Sequence, residues 1–269
     1  MMRAPSGASA PSWRRVSEWF MFRKTYKNGF FIDIVDYYEL LHRYGSYVNS
    51  EPQTEDWAVD HIRDDWIVFD CGAHIGYYTM LFSRLAPRGR VYAFEASAES
   101  CAKLRRNLEH NARTHAHNYG NVELIHTALG DRDADRVEET LYLSGGPDYG
   151  KTRAPFDFMT LDTFCESRQL ARLDLVKIDV DGWDYEVLLG ARRAVQRLRP
   201  TLVVEVNYAL EWRQHSPTDV LRLLDELGYA YEVLDTPGPT NWVMTPREHA
   251  AEAPGHCGAG GLPRAVVTH

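Results

Sequence analysis

Six polar side chains that can contact a ligand follow apolar runs typical of buried strands. They are Asp70, Glu95, Asp179, Asp181, Glu205 and Asn207. In open α/β sheets, ligands bind beyond the carboxyl ends of the strands, where such side chains point. We therefore expect these residues to surround one crevice. Carboxylates in a crevice can accept hydrogen bonds from hydroxyl groups, neutralise a cationic ligand or take up a proton during a reaction.

The first two acids flank a glycine-spaced turn. The apolar run 67–69 ends at Asp70, and the turn 72–76 leads into apolar residues at helical spacing over 77–85. A second apolar run then ends at Glu95. This pattern predicts a strand, a tight turn, a helix and a strand, the first unit of a nucleotide-binding α/β fold. Glycines let a ligand approach the backbone, and an acid about twenty residues later can accept hydrogen bonds from both hydroxyls of a ribose.

The spacing of the glycines separates the candidate cofactors. A dinucleotide fingerprint needs G-x-G-x-x-G, and the second position of that pattern is missing between Gly72 and Gly76. No P-loop lysine follows the turn. Asp70 and His74 occupy the turn instead, and an acid there suits a cationic or zwitterionic ligand better than a pyrophosphate. The turn resembles motif I of class I S-adenosylmethionine-dependent methyltransferases, with Glu95 as the ribose-binding acid; a purely structural βαβ unit is the alternative.

Two further apolar runs carry the remaining acids. Leu175–Ile178 is typical of a buried strand and is followed by Asp179, Asp181 and Gly182, and a second run over 201–206 carries Glu205 near its end. Asp179 and Asp181 are two residues apart, so a continued strand would place them on one face. A glycine directly after them predicts a bend that turns the two carboxylates toward different parts of the crevice.

Composition narrows the class of protein. The 269 residues fit one large α/β domain with extensions. A net charge of −8 and a pI near 5.8 argue against a nucleic-acid binder. The sequence has no apolar run of the ~18 residues that span a bilayer and no apolar core of a signal peptide. The cysteines are widely spaced and include no C-x-x-C pair, which predicts a reducing, cytoplasmic location. They are Cys71, Cys101, Cys165 and Cys257.

The ordered set of motifs resembles that of the FkbM-type methyltransferases. The segments are IVFDCGAHIGYYT, VYAFEAS, ALGD, FMTLDTF, VKIDVDGWDYEVLLGA and PTLVVEVN. They cover residues 66–206, and a weaker similarity continues over 223–242. His74 replaces the usual Asn of this family, and Asp181 and Asp184 replace the usual Glu. The shorter acids keep the charge but withdraw it by one methylene group.

This resemblance implies an α/β fold of the class I methyltransferase, Rossmann-like type. We expect a seven-stranded, mostly parallel sheet whose last strands, 229–234 and 241–244, form an antiparallel hairpin. Residues 66–246 would form the domain that binds S-adenosylmethionine (SAM), preceded by a disordered segment 1–12 and an extension 13–65, and followed by a flexible tail 247–269. The implied activity is methylation of a hydroxyl on a polyketide, sugar or related small molecule.

The resemblance also assigns candidate site residues. Binding of SAM, and of its product S-adenosylhomocysteine, is expected at Asp70, Gly72, His74, Gly76, Glu95, Ala128 and Asp179. Candidate catalytic residues are Asp179, Asp181 and Glu205, with His126 or His215 as alternative bases. A metal-free site is favoured, and oxygen ligands for Mg²⁺, if bound, would be Asp179, Asp181, Glu205 and Asn207.

Other functions stay open at this point. An N- or carboxyl-methyltransferase would use the same core, as would a non-catalytic SAM-binding protein. An NAD-dependent oxidoreductase would need the dinucleotide glycine that is missing here. In the favoured interpretation, the binding partner of the protein is a small-molecule methyl acceptor.

The segments outside the core carry three further expectations. The aromatic and basic residues of 13–24 can form an amphipathic helix that packs on the domain or in a homodimer, rather than on a membrane. The segment 146–155 is glycine-rich and charged, which predicts a loop that closes over the site, and the acidic run 131–139 predicts a solvated turn. Four tyrosines are candidates either for the acceptor pocket or for simple packing: Tyr37, Tyr38, Tyr44 and Tyr47.

Overall fold

The structure is a computed structural model that describes residues 22–35, 51–115, 117–143, 150–234 and 241–250. Its strands are β1 (Phe22–Thr25), β2 (Phe31–Ile34), β3 (Ile67–Cys71), β4 (Arg90–Glu95), β5 (Val122–His126), β6 (Ala128–Leu129), β7 (Ala134–Leu143), β8 (Gly150–Met159), β9 (Leu175–Ile178), β10 (Thr201–Glu205), β11 (Tyr229–Val233) and β12 (Asn241–Pro246). Its helices are α1 (Pro52–His61), α2 (Tyr77–Leu85), α3 (Ala98–Thr114), α4 (Leu161–Ser167), α5 (Asp184–Gly190), α6 (Arg192–Leu198), α7 (Pro217–Leu227) and α8 (Arg247–Ala250).

A seven-stranded sheet forms the centre of the fold. Its strand order is β11-β12-β10-β9-β3-β4-β5, and β12 runs antiparallel to both of its neighbours. The other pairs in the sheet are parallel. The predicted mostly parallel sheet with an antiparallel C-terminal hairpin is therefore confirmed. Because β3 and β9 lie side by side at the centre, their carboxyl ends bring the two predicted acidic segments together.

Alternating side chains of the central strands fill a hydrophobic core on each face of the sheet. Val68 packs in one core with Met80 of α2, while Phe69 points to the opposite face. Phe69 makes edge-to-face contacts with Phe94 and Phe164, with ring centroids 5.4 and 5.5 Å apart. Burying such a side chain stabilises the fold by about 1.5–3 kcal/mol. These buried contacts fix the strands whose ends form the site.

Helix boundaries follow the capping pattern of the sequence. Helix α2 occupies the range 77–85 given by the apolar spacing. The hydroxyl of Ser97 accepts a hydrogen bond from the Ser100 backbone N–H and so caps α3, as its position before the helix predicts. Helix α7 begins with a capping box at Ser216 and ends at Gly228 in the left-handed conformation.

A second, three-stranded sheet corrects two of the expectations. Residues 150–155 were expected in a closing loop but lie in β8, which pairs along its length with β7. The acidic segment 134–139 was expected in a solvated turn but lies in β7. Pairing between these two consecutive segments supplies hydrogen bonds that neither segment predicts by its own composition. Residues 146–149 of the expected loop lie outside the described residues.

The N-terminal strands pack on the outside of the core. Strands β1 and β2 form an antiparallel pair, and the side chains of α3 hold the second strand. The Asp33 N–H donates to Asn111 Oδ1 at 2.8 Å, and the Val35 N–H donates to Asn107 Oδ1 at 2.9 Å. Residues 22–24 of the expected amphipathic helix therefore lie in a strand, which makes the helix prediction wrong there.

Several predictions concern segments outside the described residues. They include the predicted disorder of the N-terminus, the rest of the amphipathic segment, and Tyr37, Tyr38, Tyr44 and Tyr47. The tail expected over 247–269 also lies outside them, except that residues 247–250 form α8. The homodimer through the N-terminal extension stays a prediction. Within the described part of the chain, no helix has the length and apolar character needed to cross a membrane.

Candidate active site

A solvent-open cavity of about 560 Å³ lies at the carboxyl edge of the central sheet. Strands β3, β4 and β9 and the segment after β5 contribute to its walls. Its lining residues are Gly72, His74, Phe94, Glu95, Ala96, Thr127, Ala128, Leu129, Leu141, Asp179, Val180, Asp181 and Trp183. Of the six polar residues expected to surround one crevice, three line this cavity (Glu95, Asp179 and Asp181) and three do not (Asp70, Glu205 and Asn207). Three further expected cofactor residues line it: Gly72, His74 and Ala128.

The glycine turn brings bare backbone to the cavity wall. Gly72 has φ +88°, and a Cβ atom there would lie 1.8 Å from the carbonyl oxygen of Asp179. No side chain larger than hydrogen fits between these two segments. Gly76 has φ +90° and does not line the cavity; a Cβ atom there would lie 2.8 Å from Cγ of Leu104. Gly72 thus serves the site directly, while Gly76 lets α3 pack against the start of α2.

The carboxylate of Glu95 is oriented by two backbone groups. The His74 N–H donates to its Oε2 and the Ser97 N–H donates to its Oε1, each at 2.7 Å. Burial raises the pKa of Glu95 to about 7, although these hydrogen bonds oppose the shift. The remaining lone pairs of this oriented carboxylate can accept hydrogen bonds from ligand hydroxyls.

His74 lines the cavity in the left-handed backbone conformation, with φ +49°. Asn and His are both enriched in this conformation, which explains physically why His can stand where the related family usually carries Asn. Burial lowers the pKa of His74 to about 4, so the imidazole is neutral at pH 7. A neutral ring adds no positive charge to the cavity.

Asp70 lies behind the turn and is not among the lining residues. Its carboxylate accepts a hydrogen bond from the Thr79 hydroxyl at 2.5 Å and is almost completely buried. Burial raises the pKa of Asp70, and the nearby Lys177 opposes that shift. The geometry therefore gives Asp70 a role in tying the turn to α2.

Lys177 is a buried cation that sequence reasoning missed. Its ammonium donates to Asp179 Oδ2 at 2.6 Å and lies 4.4 Å from the ring centroid of Tyr78. Burial lowers its pKa, but the carboxylates of Asp179, Glu51 and Asp70 outweigh burial and raise it. The indication in the sequence was a lysine inside an otherwise apolar strand. Lys177 holds the Asp179 carboxylate at the edge of the cavity.

The segment after β9 is held by Asp184. Its carboxylate accepts hydrogen bonds from the backbone N–H groups of Val180 and Gly182, each at 3.0 Å. Asp181 between them has φ +48°, and Gly182 has φ +92°. The bend predicted at Gly182 is present and begins one residue earlier. Asp184 therefore shapes the wall of the cavity from behind.

Among the acids that line the cavity, Asp181 has the pKa that differs most from its ordinary value. Asp181 is exposed to solvent, yet the protein atoms around its carboxylate, then the charges of Asp179 and Asp184, raise its pKa to about 8. Asp184 itself has a pKa raised by burial to about 7. A carboxylate that titrates near neutral pH matches the requirement for a general base.

Glu205 is the last residue of β10 and Asn207 follows the strand; neither lines the cavity. Burial, followed by Asp179, Asp184 and Asp181, raises the pKa of Glu205 well above its usual range. Asn207 Oδ1 accepts a hydrogen bond from the Ala209 N–H at 2.7 Å and caps the 3₁₀ helix Tyr208–Arg213.

The alternative bases and the metal ligands have other surroundings. His126 is exposed beside the Ala96 carbonyl, and His215 lies 3.2 Å from Glu186 Oε1; neither histidine lines the cavity. Across the ranges that the structure describes, no group of three or more His, Cys, Asp or Glu side chains is arranged to hold a metal ion.

Apolar lining residues were also missed from the sequence. Leu141 reaches the cavity from β7, and Trp183 lies with its ring 4.9 Å from that of Phe158. The Arg213 guanidinium lies 3.5 Å from the Trp183 ring centroid on the other side. An apolar wall opposite an acidic edge suits a flat heterocycle that carries hydroxyl groups.

The strand order and the glycine turn at this edge define the class I methyltransferase fold. Residues 70–231 match the methyltransferase FkbM domain, and the chain belongs to this family of methyltransferases.

Curated relatives carry related names. The chain is 24% identical over 194 residues to hexuronic acid methyltransferase AglP of Haloferax volcanii, covering 71% of this chain and 74% of that protein. It is 24% identical over 155 residues to 2-O-methyltransferase NoeI of Sinorhizobium fredii, covering 51% and 62%. The chain thus spans less than two thirds of the second relative. A crystal structure of methyltransferase FkbM from Methylobacillus flagellatus aligns with a TM-score of 0.49 at 19% identity, covering 68% of this chain and 44% of that one.

Proposed function

We propose that the chain is a SAM-dependent O-methyltransferase that acts on a hydroxyl of a small, sugar-like or polyketide-like natural product. The carrying observation is the Glu95 carboxylate, which two backbone N–H groups aim into the cavity beside the bare backbone of Gly72. This arrangement fits a ribose with two free hydroxyls. SAM, when bound, supplies an electrophilic methyl group on a sulfonium.

The residues on the methyl-donor side have separate roles in this proposal. Glu95 would accept hydrogen bonds from the ribose hydroxyls. Gly72 and His74 would bring the methionine part of SAM close to the protein backbone. Ala128, together with the apolar wall, would border the adenine. Asp179 is the candidate partner of the ammonium group. Because Lys177 already fixes one oxygen of that carboxylate, Asp179 presents the other in a defined direction. Asp70 and Gly76 support these residues from behind.

The acceptor side needs alignment and a proton acceptor. Holding an acceptor oxygen in line with the methyl carbon can supply up to about 7–11 kcal/mol of the barrier reduction. Asp181 is the base candidate that lines the cavity, and its carboxylate can take the proton that the acceptor hydroxyl loses. General-base catalysis adds about 10²- to 10⁴-fold to the rate. Glu205 lies farther along the same edge and is the second candidate.

Two observations support a hydroxyl as the methylated group. The curated relative NoeI is named a 2-O-methyltransferase, and AglP is named for a sugar acid. The raised pKa of Asp181 suits a weakly acidic hydroxyl, which must lose its proton, better than a carboxylate acceptor, which has none to lose. Cys71, Cys101 and Cys165 are free, buried thiols, which supports our placement of the enzyme in the reducing cytoplasm.

The test is a transfer assay with SAM carrying a deuterated methyl group and a panel of hydroxylated sugars and polyketides. Mass spectrometry of the product gives the mass gain, and fragmentation locates the methyl group on oxygen, nitrogen or carboxylate. Transfer to nitrogen or to a carboxylate would replace the O-methyl assignment. Tight SAM binding without transfer to any panel member would favour a non-catalytic SAM-binding protein. Chelator treatment of the active protein tests the unfavoured Mg²⁺ site.

A further inference from the structure

One buried carboxylate beside the cavity has no counter-charge. The side chain of Glu205 is 8% exposed, and no Lys or Arg in the described ranges of the chain forms an ion pair with it. Burial raises its pKa, and the carboxylates of Asp179, Asp184, Asp181 and Glu51 raise it further. A buried carboxyl group without a counter-charge is costly, so it favours a proton or a cation.

The neighbouring carboxylates differ in whether an ion pair or hydrogen bonds compensate their negative charge. Asp179 pairs with Lys177, and Asp184 accepts two backbone N–H groups. Asp181 and Glu205 lack an ion pair within the described residues. The nearby guanidinium of Arg213 does not balance them, because it is bound to Glu186. After a methyl donor with one net positive charge has bound, this edge of the cavity still carries a surplus of acids.

An aromatic pair borders the same edge. Tyr208 and Trp212 lie on the 3₁₀ helix that follows β10 and are 71% and 43% exposed, with ring centroids 5.7 Å apart. Trp212 packs on the bend after Asp181, since a Cβ atom on Gly182 would lie 3.3 Å from its Cε3. The 3₁₀ helix thus presents two large exposed rings next to the bend that carries Asp181.

Carboxylates and the faces of aromatic rings both attract cations and both disfavour anions. We propose that the acceptor is a hydroxylated molecule that also carries a protonated amine, and that Glu205, Tyr208 and Trp212 form the subsite for that amine. The inference rests on the proposed methyl transfer and adds the charge class of the acceptor to it. Glu205 supplies the counter-charge, and the ring pair supplies a face for the ammonium and its adjacent C–H groups.

Binding to the full chain saturated with S-adenosylhomocysteine tests this directly. The probes are glucosamine, glucose and glucuronate, which share a pyranose ring and differ in charge, and N-acetylglucosamine, which removes the charge of the amine. Calorimetry at pH 7 should give glucosamine an affinity at least about tenfold above the other three, as expected for a charge-assisted contact with cation–π support. Equal affinities, a preference for glucuronate, or no detectable glucosamine binding would overturn the proposal.

Variants assign the preference to the subsite. Glu205→Gln and Trp212→Leu should each reduce the ratio of glucosamine to glucose affinity toward one, while Glu211→Gln, an exposed acid on the same 3₁₀ helix, should retain the ratio. Binding of S-adenosylhomocysteine to each variant reports a folded methyl-donor side. An unchanged ratio in Glu205→Gln with normal cofactor binding overturns the amine subsite alone. Failure of the wild-type chain to bind S-adenosylhomocysteine overturns the proposed function instead.

Discussion

The ammonium of Lys177 lies 2.6 Å from Oδ2 of Asp179, and the two side chains differ sharply in exposure, 1% for the lysine and 23% for the aspartate. The lysine faces the buried carboxylates of Asp70 and Glu51 behind it and the cavity edge in front. One cation therefore balances acids of the core and orients an acid of the site. Stability and ligand binding are coupled at this residue.

Lys177→Met is expected to destabilise the fold by about 3–5 kcal/mol, because it leaves buried carboxylates without their partner. Urea denaturation measures the loss. Lys27→Met is the matched control: Lys27 pairs with Asp60 at the surface, with side chains 38% and 58% exposed, and such a pair contributes at most about 1 kcal/mol. A loss in Lys177→Met no larger than that of the control would mean that the buried acids take up protons at little cost.

Glu95→Ala is expected to weaken SAM binding, because hydrogen bonds to a charged acceptor contribute about 1.5–3 kcal/mol each. Isothermal titration calorimetry gives the affinity. Glu123→Ala on the adjacent strand β5 removes an acid that binds Arg90 instead of lining the cavity, and its SAM affinity should stay at the wild-type value. Wild-type affinity in Glu95→Ala would remove the ribose role from this residue.

The unliganded protein is expected to lose stability as the pH rises from about 5 to 8. Folding raises the pKa of Glu95 and Asp184 to about 7 and that of Asp181 to about 8, from ordinary values of 4.5, 3.8 and 3.8. The folded state then binds more protons than the unfolded state in this window, so the free energy of unfolding falls with increasing pH. Chemical denaturation at several pH values shows the slope, and Asp181→Asn should flatten it. A profile that rises over this window would show that these acids are ionised in the folded protein.

Asp179→Asn and Asp181→Asn should separate binding from turnover. The first is expected to weaken SAM binding, because it removes the charge that faces the ammonium group. The second should retain SAM affinity and lower turnover by about 10²- to 10⁴-fold if Asp181 is the base. Full activity in Asp181→Asn would direct the search to Glu205. Loss of activity in both variants together with chelator sensitivity of the wild type would instead indicate a metal site.

Gly72→Ala is expected to disrupt the cavity. Gly29→Ala should lower the stability of the fold only through the strain of a positive φ at a residue with a Cβ atom. Both glycines have positive φ, +88° and +81°, but a Cβ atom meets the Asp179 carbonyl at the first and nothing within 4 Å at the second. The difference between the two variants isolates the close approach of β3 and β9. Thermal unfolding and SAM titration measure it. Similar losses in the two variants would mean that the segment after β9 moves aside.

Much of the framework could be predicted because it depends on local pattern. The apolar spacing over 77–85, the cap at Ser97 and the stop at Gly228 each carry their own physical signature, and all three elements are present. The acids at strand ends follow from topology, since parallel strands bring their carboxyl ends to one edge. Glu95, Asp179 and Asp181 therefore meet at the cavity as expected.

The remaining features depend on contacts that form only in the folded chain and that no local pattern specifies. The segment 150–155 contains Gly, charged residues and Pro155, and only its pairing with β7 makes it a strand. A lysine in an apolar run does not indicate which acids will surround it; besides the neighbouring Asp179, those of Lys177 are Glu51 and Asp70 from two other segments. Asp184 could be expected to contact a ligand, but its contact with the two N–H groups of the bend appears only once the chain is folded.

The central position of β9 has a consequence for synthesis of the chain. The Ile67 N–H donates to Asp174 Oδ2 at 2.8 Å across 107 residues, and β3 pairs with β9 from Val68 onward. A nascent chain that has released the glycine turn and Glu95 from the ribosome still lacks the strand beside them. During that interval the edge of β3 that pairs with β9 is unpaired, and unpaired strand edges are prone to mispairing and aggregation. Cofactor can stabilise the growing protein only after residue 181 has emerged.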